Sequence, residues 1–227
     1  MPLLTIETST PFEQVAVVDG GAALAERMLE GGRSRADELL DAVDSVLRSA
    51  GLTVHRLDGV VVSVGPGRFT GLRVGLATAK GLAAASGLPI FAASTLAALA
   101  RSVGPAEGVV CPVLDARRGE VYGAVFDGES LDRLTEDRAL PPSEFAELAA
   151  GVADGRQSRY VGTGVAYRAE ILAAAGDAAA FADPAVAIPT PSALVSVADR
   201  SRPVDPASFE PVYIRGVTPP GGQAAGA

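Results

Sequence analysis

The chain has 227 residues, 48% of them hydrophobic and 20% charged, which fits one large or two small globular domains and excludes a disordered chain. A formal charge of −8 without any dense Lys/Arg run argues against a protein that holds RNA through its own electrostatic field. The opening apolar run LLTI is too short for a signal-peptide core and no later run approaches the length of a membrane span. A cytoplasmic protein with no membrane contact is expected.

From the N-terminus, LLTIETS, QVAVVDG and ALAERML read as three strands divided by short turns. A helix is expected from about Ser34, with Ser34 and Asp37 as a capping box and Leu39, Val43 and Leu47 along one face. GVVVSVG reads as a strand buried on both sides. The glycine-rich GPGRFTG leads into a helix that runs to about Ser86, followed by the strand LPIFAAS. Ser94 or Thr95 would cap a third helix ending near Gly104. VVCPVLDA, EVYGAVF and LDRLTEDRAL then repeat the three strands, followed by a helix from Pro142, the strand RYVGTG and the helix VAYRAEILAAAG.

A βββαβα order that occurs twice predicts two α/β lobes facing each other, residues 1–104 and 105–216, the second one reduced. The Pro/Gly/Ala-rich residues 217–227 read as a disordered tail.

One cysteine and one histidine allow neither an internal disulfide nor a Cys/His zinc site, and no metal centre is assigned. A carboxylate-only magnesium or calcium site stays open. Cys111, in VVCPVL, reads as a core residue and His55, in GLTVHRLDG, as a solvated loop residue.

The sharpest motif is GPGRFTGLRVGLATAKGLA. Gly65, Pro66 and Gly67 form a tight turn at a strand end close to a helix start, suited to presenting backbone N–H groups to a phosphate. The P-loop spacing is absent. In the helix that follows, Gly75, Ala79 and Ala83 recur every four residues beside Leu72 and Leu76. That stripe serves either packing on the protein's own sheet or the approach of a partner. A helix apolar on more than one face needs cover on both.

TIETST resembles the phosphate-binding hairpin of the actin and sugar-kinase superfamily, whose active members carry an Asp and a glycine there. This chain has Glu7 and the hydroxyls of Thr8, Ser9 and Thr10 instead. In the second half Asp115 stands where the superfamily's second phosphate-loop Asp would be, with Arg117 and Arg118 beside it. A nucleotide site is sketched and then spoiled.

TIETST, SVGPGRFTGLRVGLATAKGLA, VLDARRGEVYGAVF and EPVYIRG, in this order from Leu3 to about Arg215, resemble the TsaB (YeaZ) family. Arg68 departs from the serine common after GPG, and a histidine often found near Arg33 to Arg35 is absent. The resemblance implies a two-lobed actin-like ATPase (ribonuclease H-like) fold without the parent chemistry. It also implies pairing with a catalytic TsaD subunit and association with the ATPase TsaE. TsaD transfers threonylcarbamoyl to the tRNA adenosine next to the anticodon, so tRNA is expected only through the complex.

The partner surface expected from the sequence is Leu39, Val43 and Leu47 of the first helix with Leu72, Gly75, Leu76, Ala79 and Ala83 of the second. No strongly bound cofactor is expected. Weak ATP or ADP contact at the partner interface stays open, as does a homodimer when the partner is missing. The competing reading is an active small-molecule kinase or a peptidase of the same superfamily. The missing first-hairpin Asp weighs against the kinase, and the single His and single Cys weigh against the peptidase.

Overall fold

The structure, a computed structural model, describes residues 1–29 and 36–214. The expected cap at Ser34, the Arg33 to Arg35 stretch and the tail from residue 217 lie outside the described residues.

The first unit opens as a meander of β1 (Leu3–Glu7), β2 (Glu13–Asp19) and β3 (Ala22–Leu29). Strands β1 and β2 pair antiparallel from Leu3↔Val18 to Glu7↔Gln14, and β2 turns into β3 through Gly20 and Gly21, both at positive φ. Next come α1 (Ala36–Ser49), β4 (Gly59–Gly65), α2 (Phe69–Ser86), β5 (Ile90–Ser94) and α3 (Thr95–Val103). Ser94 caps α3 by accepting from the Ala97 N–H, one of the two expected caps. The sheet order is β3-β2-β1-β4-β5, with β4 parallel to both β1 and β5.

The second unit repeats this plan. It comprises β6 (Val109–Arg117), β7 (Glu120–Gly123), β8 (Phe126–Asp127), β9 (Arg138–Leu140), α4 (Pro142–Ala153), β10 (Ser158–Val161), α5 (Arg168–Ala175), β11 (Ala179–Phe181) and α6 (Pro191–Val197). Its order, β11-β10-β6-β7-β9 with β8 on β6, matches the first sheet position for position. The expected third strand, LDRLTEDRAL, shrinks to the three residues of β9. The run EVYGAVF divides at Ala124 and Val125, where the Val125 N–H donates to Thr135 Oγ1 at 2.9 Å and its carbonyl accepts from the Leu134 N–H at 2.8 Å. Beyond them, Phe126 and Asp127 pair with the start of β6. Strand β11 and helix α6 extend the repeat past what the sequence pattern suggests.

Side-chain alternation on the central strands sends residues to opposite layers. Leu4, Ile6, Val60 and Val62 pack with α1 and α2, while Leu3 and Val61 join Ala98 of α3 and Leu194 of α6. Burial on both faces is why GVVVSVG is a continuous apolar run. Helix α3 also sends Leu96 and Leu99 against Val110 and Leu114 of β6, so it lies between the two sheets. Helix α6 closes the second unit in sequence but packs on the first sheet, and the chain from Val204 to Val212 follows it there. Cys111 is fully buried in β6, and burial pushes its thiol up. His55 is exposed on a 3-10 turn. Among the described residues no helix is long and apolar enough to cross a membrane.

Candidate functional site

Helix α2 is apolar on both sides, and the structure separates the two. Its inner side is the one expected to meet a partner. Leu72, Gly75, Leu76, Ala79 and Ala83 are all buried within the chain; Leu76 is 5% exposed and Ala79 not at all. A Cβ on Gly75 would overlap Thr8 Oγ1, so the small-residue stripe exists to bring α2 against the chain's own first hairpin. Leu39, Val43 and Leu47 of α1 point into the same core, with Val15, Val17 and Val46. The expected contact residues are therefore core residues. Each large one stabilises the fold by roughly 1.5–3 kcal/mol through burial.

The outer side of the same helices is open. A hollow of about 740 Å³ lies between α1 and α2, with Leu40, Phe69, Val74, Ala77, Gly81 and Ala85 among its lining. Leu40 is 48% exposed and Phe69 43%, high values for large apolar side chains. Ala77, Gly81 and Ala85 form a second small-residue stripe with the same four-residue spacing. A Cβ on Gly81 would meet nothing within 4 Å, so none of the described residues uses the space that this glycine leaves. The signal for this face was present in the sequence, but it was indistinguishable from that of the inner stripe.

The segment containing EPVYI, for which the sequence suggested no structural role, runs back along α2. The Val212 N–H donates to the Val64 carbonyl at 2.8 Å, and the Val204 N–H donates to the Ile90 carbonyl at 2.9 Å. The Val212 oxygen lies 2.8 Å from where a Cβ on Gly65 would be, and Gly65 has φ 116°. The Tyr213 ring stacks on Phe69 with centroids 5.4 Å apart. Arg73 lies 3.9 Å over the Phe69 ring and donates from Nε to the Tyr213 hydroxyl at 3.1 Å. Sequence reasoning missed all three of these side chains.

The phosphate-type hairpins fold back on themselves. Glu7, Thr8, Ser9 and Thr10 are buried. The Ser9 N–H donates to Glu7 Oε1 at 2.7 Å and the Ser9 hydroxyl donates to the same oxygen. Glu7 Oε2 and Thr8 Oγ1 have no hydrogen-bond partner among the described residues. Burial pushes the Glu7 carboxyl above its ordinary range, against the lowering effect of the Ser9 and Ser63 hydrogen bonds.

The Gly65–Pro66–Gly67 turn was expected to open toward a phosphate. It presses on this hairpin instead: a Cβ on Gly67 would overlap the Ser9 carbonyl oxygen, which accepts from the Arg68 N–H at 2.7 Å. Asp115 belongs to a separate group in the second sheet. Its Oδ1 accepts from the Arg117 N–H at 2.8 Å and from the Tyr167 hydroxyl at 3.2 Å. Arg117 and Arg118 hold the turn at φ 64° and 57°. No group of three or more His, Cys, Asp or Glu among the described residues is placed to hold a metal ion.

The family model described as "TsaD: tRNA N6-adenosine threonylcarbamoyltransferase" matches residues 30–202. The structure of YeaZ from Pseudomonas aeruginosa superposes with a TM-score of 0.76 at 30% identity, over 93% of this chain and 99% of that one. The chain belongs to the TsaB (YeaZ) family. The tRNA threonylcarbamoyladenosine biosynthesis protein TsaB of Bacillus subtilis is 30% identical over 65% of this chain and 66% of its own length. An uncharacterized protein of Mycobacterium tuberculosis is 35% identical over 94% of this chain and 91% of its own length. The TsaB-family fold is thus the two-lobed, actin-like α/β arrangement traced above, with a second lobe whose outer strands are short.

Proposed function

We propose that the chain is the non-catalytic docking subunit of the machinery that places threonylcarbamoyl on the tRNA adenosine next to the anticodon. It joins a TsaD-type catalytic chain through the outer faces of α1 and α2, and the assembly works with a TsaE-type ATPase in the cytoplasm. One observation carries this reading: an apolar hollow over two helices, with an unfilled glycine at Gly81 and exposed Leu40 and Phe69 at its edges. Exposed apolar surface of this kind marks an interaction site, and small residues let another helix approach closely.

The non-catalytic part of the reading rests on the hairpins. Glu7 Oε1 takes two donors from Ser9 of its own hairpin, Ser9 fills the approach at Gly67, and Asp115 is occupied by Arg117 and Tyr167. On this reading the isolated chain holds no nucleotide tightly. Any ATP or ADP contact belongs to the assembled interface, and the tRNA contact belongs mainly to the partner, because the net charge is −8. Without the partner, the same hollow serves a second copy of the chain.

The test is hydrogen exchange on the full chain mixed with the TsaD-type protein of the same genome. Slowed exchange is expected in residues 36–44 and 69–85. Slowing confined to other segments would overturn the proposed surface.

A further inference from the structure

The hollow is charged unequally along its two edges. Along α1, Asp37, Asp41 and Asp44 are exposed beside Ala36 and Leu40, and Asp44 pairs with Arg48 at 2.8 Å. Along α2 the edge carries Arg73, and two helical turns on Lys80, the chain's only lysine, lines with Arg73 the adjoining recess under the C-terminal segment. A seam that is acidic on one helix and basic on the other has a preferred partner: a helix pair of the same build, turned so that opposite edges meet.

Arg73 is the best prepared of these charges. One face of its guanidinium is covered by Phe69, and its Nε–H is fixed on the Tyr213 hydroxyl. Among the described residues it makes no ion pair. Glu210 lines the same recess as Arg73 and Lys80 without joining Arg73 in such a pair. The remaining N–H groups of Arg73 therefore stand ready at the border between the hollow, which Phe69 and Arg73 line, and the C-terminal segment. Arginine and aromatic residues held in this way are the side chains that dominate binding energy at protein interfaces. Holding the guanidinium in place beforehand also reduces the entropy lost on docking.

We propose that Arg73 accepts a carboxylate from the facing helix of the TsaD-type catalytic chain, with Phe69 and the Tyr213 segment setting its direction. This rests on the docking surface proposed above. The catalytic chain is the chosen occupant because its own family model matches this chain across α1 and α2, and so predicts a helix pair of the same build. Tyr213 is a positioning residue. It ties the C-terminal segment to partner recognition, although that segment belongs to neither helix.

The test is titration calorimetry of the full-length chain with the TsaD-type protein of the same genome, at low and high salt. Arg73→Ala is expected to weaken binding about tenfold or more and to flatten its salt dependence, with thermal melting unchanged. Tyr213→Phe keeps the ring but removes the oxygen that holds Arg73, and should weaken binding by about threefold. Leu40→Asp is the control for the surface itself. If Leu40→Asp abolishes binding while Arg73→Ala stays within about twofold of the parent, the Arg73 proposal fails and the docking surface stands. If neither variant changes binding, both fail. If Arg73→Ala disrupts only self-association of this chain, the carboxylate belongs to a second copy and the proposal is overturned.

Discussion

Gly75 and Thr8 are packed so closely that a methyl group on the glycine would overlap the threonine hydroxyl, whereas Gly81, further along the same helix, has open space where its side chain would be. The contrast assigns one side of α2 to the protein's own core and leaves the other for something else. It also gives a prediction of opposite signs. Gly75→Ala should destabilise the fold by about 1–3 kcal/mol through overpacking. Gly81→Ala should stabilise it by up to about 1 kcal/mol, since alanine suits a helix interior better than glycine does. Urea unfolding of the two variants checks both signs, and equal shifts would contradict the assignment.

Leu76 belongs to the inner side. Leu76→Ala should cost about 2–5 kcal/mol of stability, the range for a large-to-small change in a packed core. Loss of partner binding in a variant with normal melting would instead place Leu76 at the interface.

The buried Glu7 carboxyl makes stability depend on pH. Its folded-state pKa is raised, mainly by desolvation, so the folded chain binds the proton more tightly than the unfolded chain does. The resulting stability is complete below the unfolded value of about 4.3 and is lost as pH rises through the folded value. Glu7→Gln keeps an oxygen for the Ser9 donors and removes the titration. Its stability relative to the parent should rise as pH increases above the ordinary carboxylate range, and level off once the pH has passed the raised folded value. Unfolding free energies measured as a function of pH check this, and parallel curves would show that Glu7 does not carry the effect.

Binding of tRNA by the isolated chain should be weaker than about 1 µM at physiological salt, because nonspecific affinity follows the number of phosphates neutralised. Filter binding measures it directly. Submicromolar binding that is lost on changing Arg117 and Arg118 would move an RNA contact onto this subunit.

Much of this architecture was legible in the sequence, because alternation and apolar run length respond to burial. GVVVSVG read as a strand buried on both faces, and the three N-terminal strands read as a meander. The side of α2 that meets a partner was not legible. Gly75, Ala79 and Ala83 show the same spacing as Ala77, Gly81 and Ala85. Only the position of Thr8, on a strand end far away in sequence, decides which stripe is filled. The Phe69–Arg73–Tyr213 group was hidden for the same reason, since it depends on the C-terminal segment returning to α2. The turn at Gly67 was read as open because its glycines suit close approach. They do allow it, but the group that approaches is the Ser9 backbone.

The most direct test of the account is the affinity of an Ala77→Glu variant for the TsaD-type protein of the same genome. Ala77 is exposed at the N-terminal end of the outer stripe and lines the hollow, so a charge there should leave folding intact. The variant is expected to melt at the parent temperature and to show no measurable binding by calorimetry. Binding at the parent affinity by a fully folded Ala77→Glu variant would contradict the assignment of the outer faces of α1 and α2 to the partner.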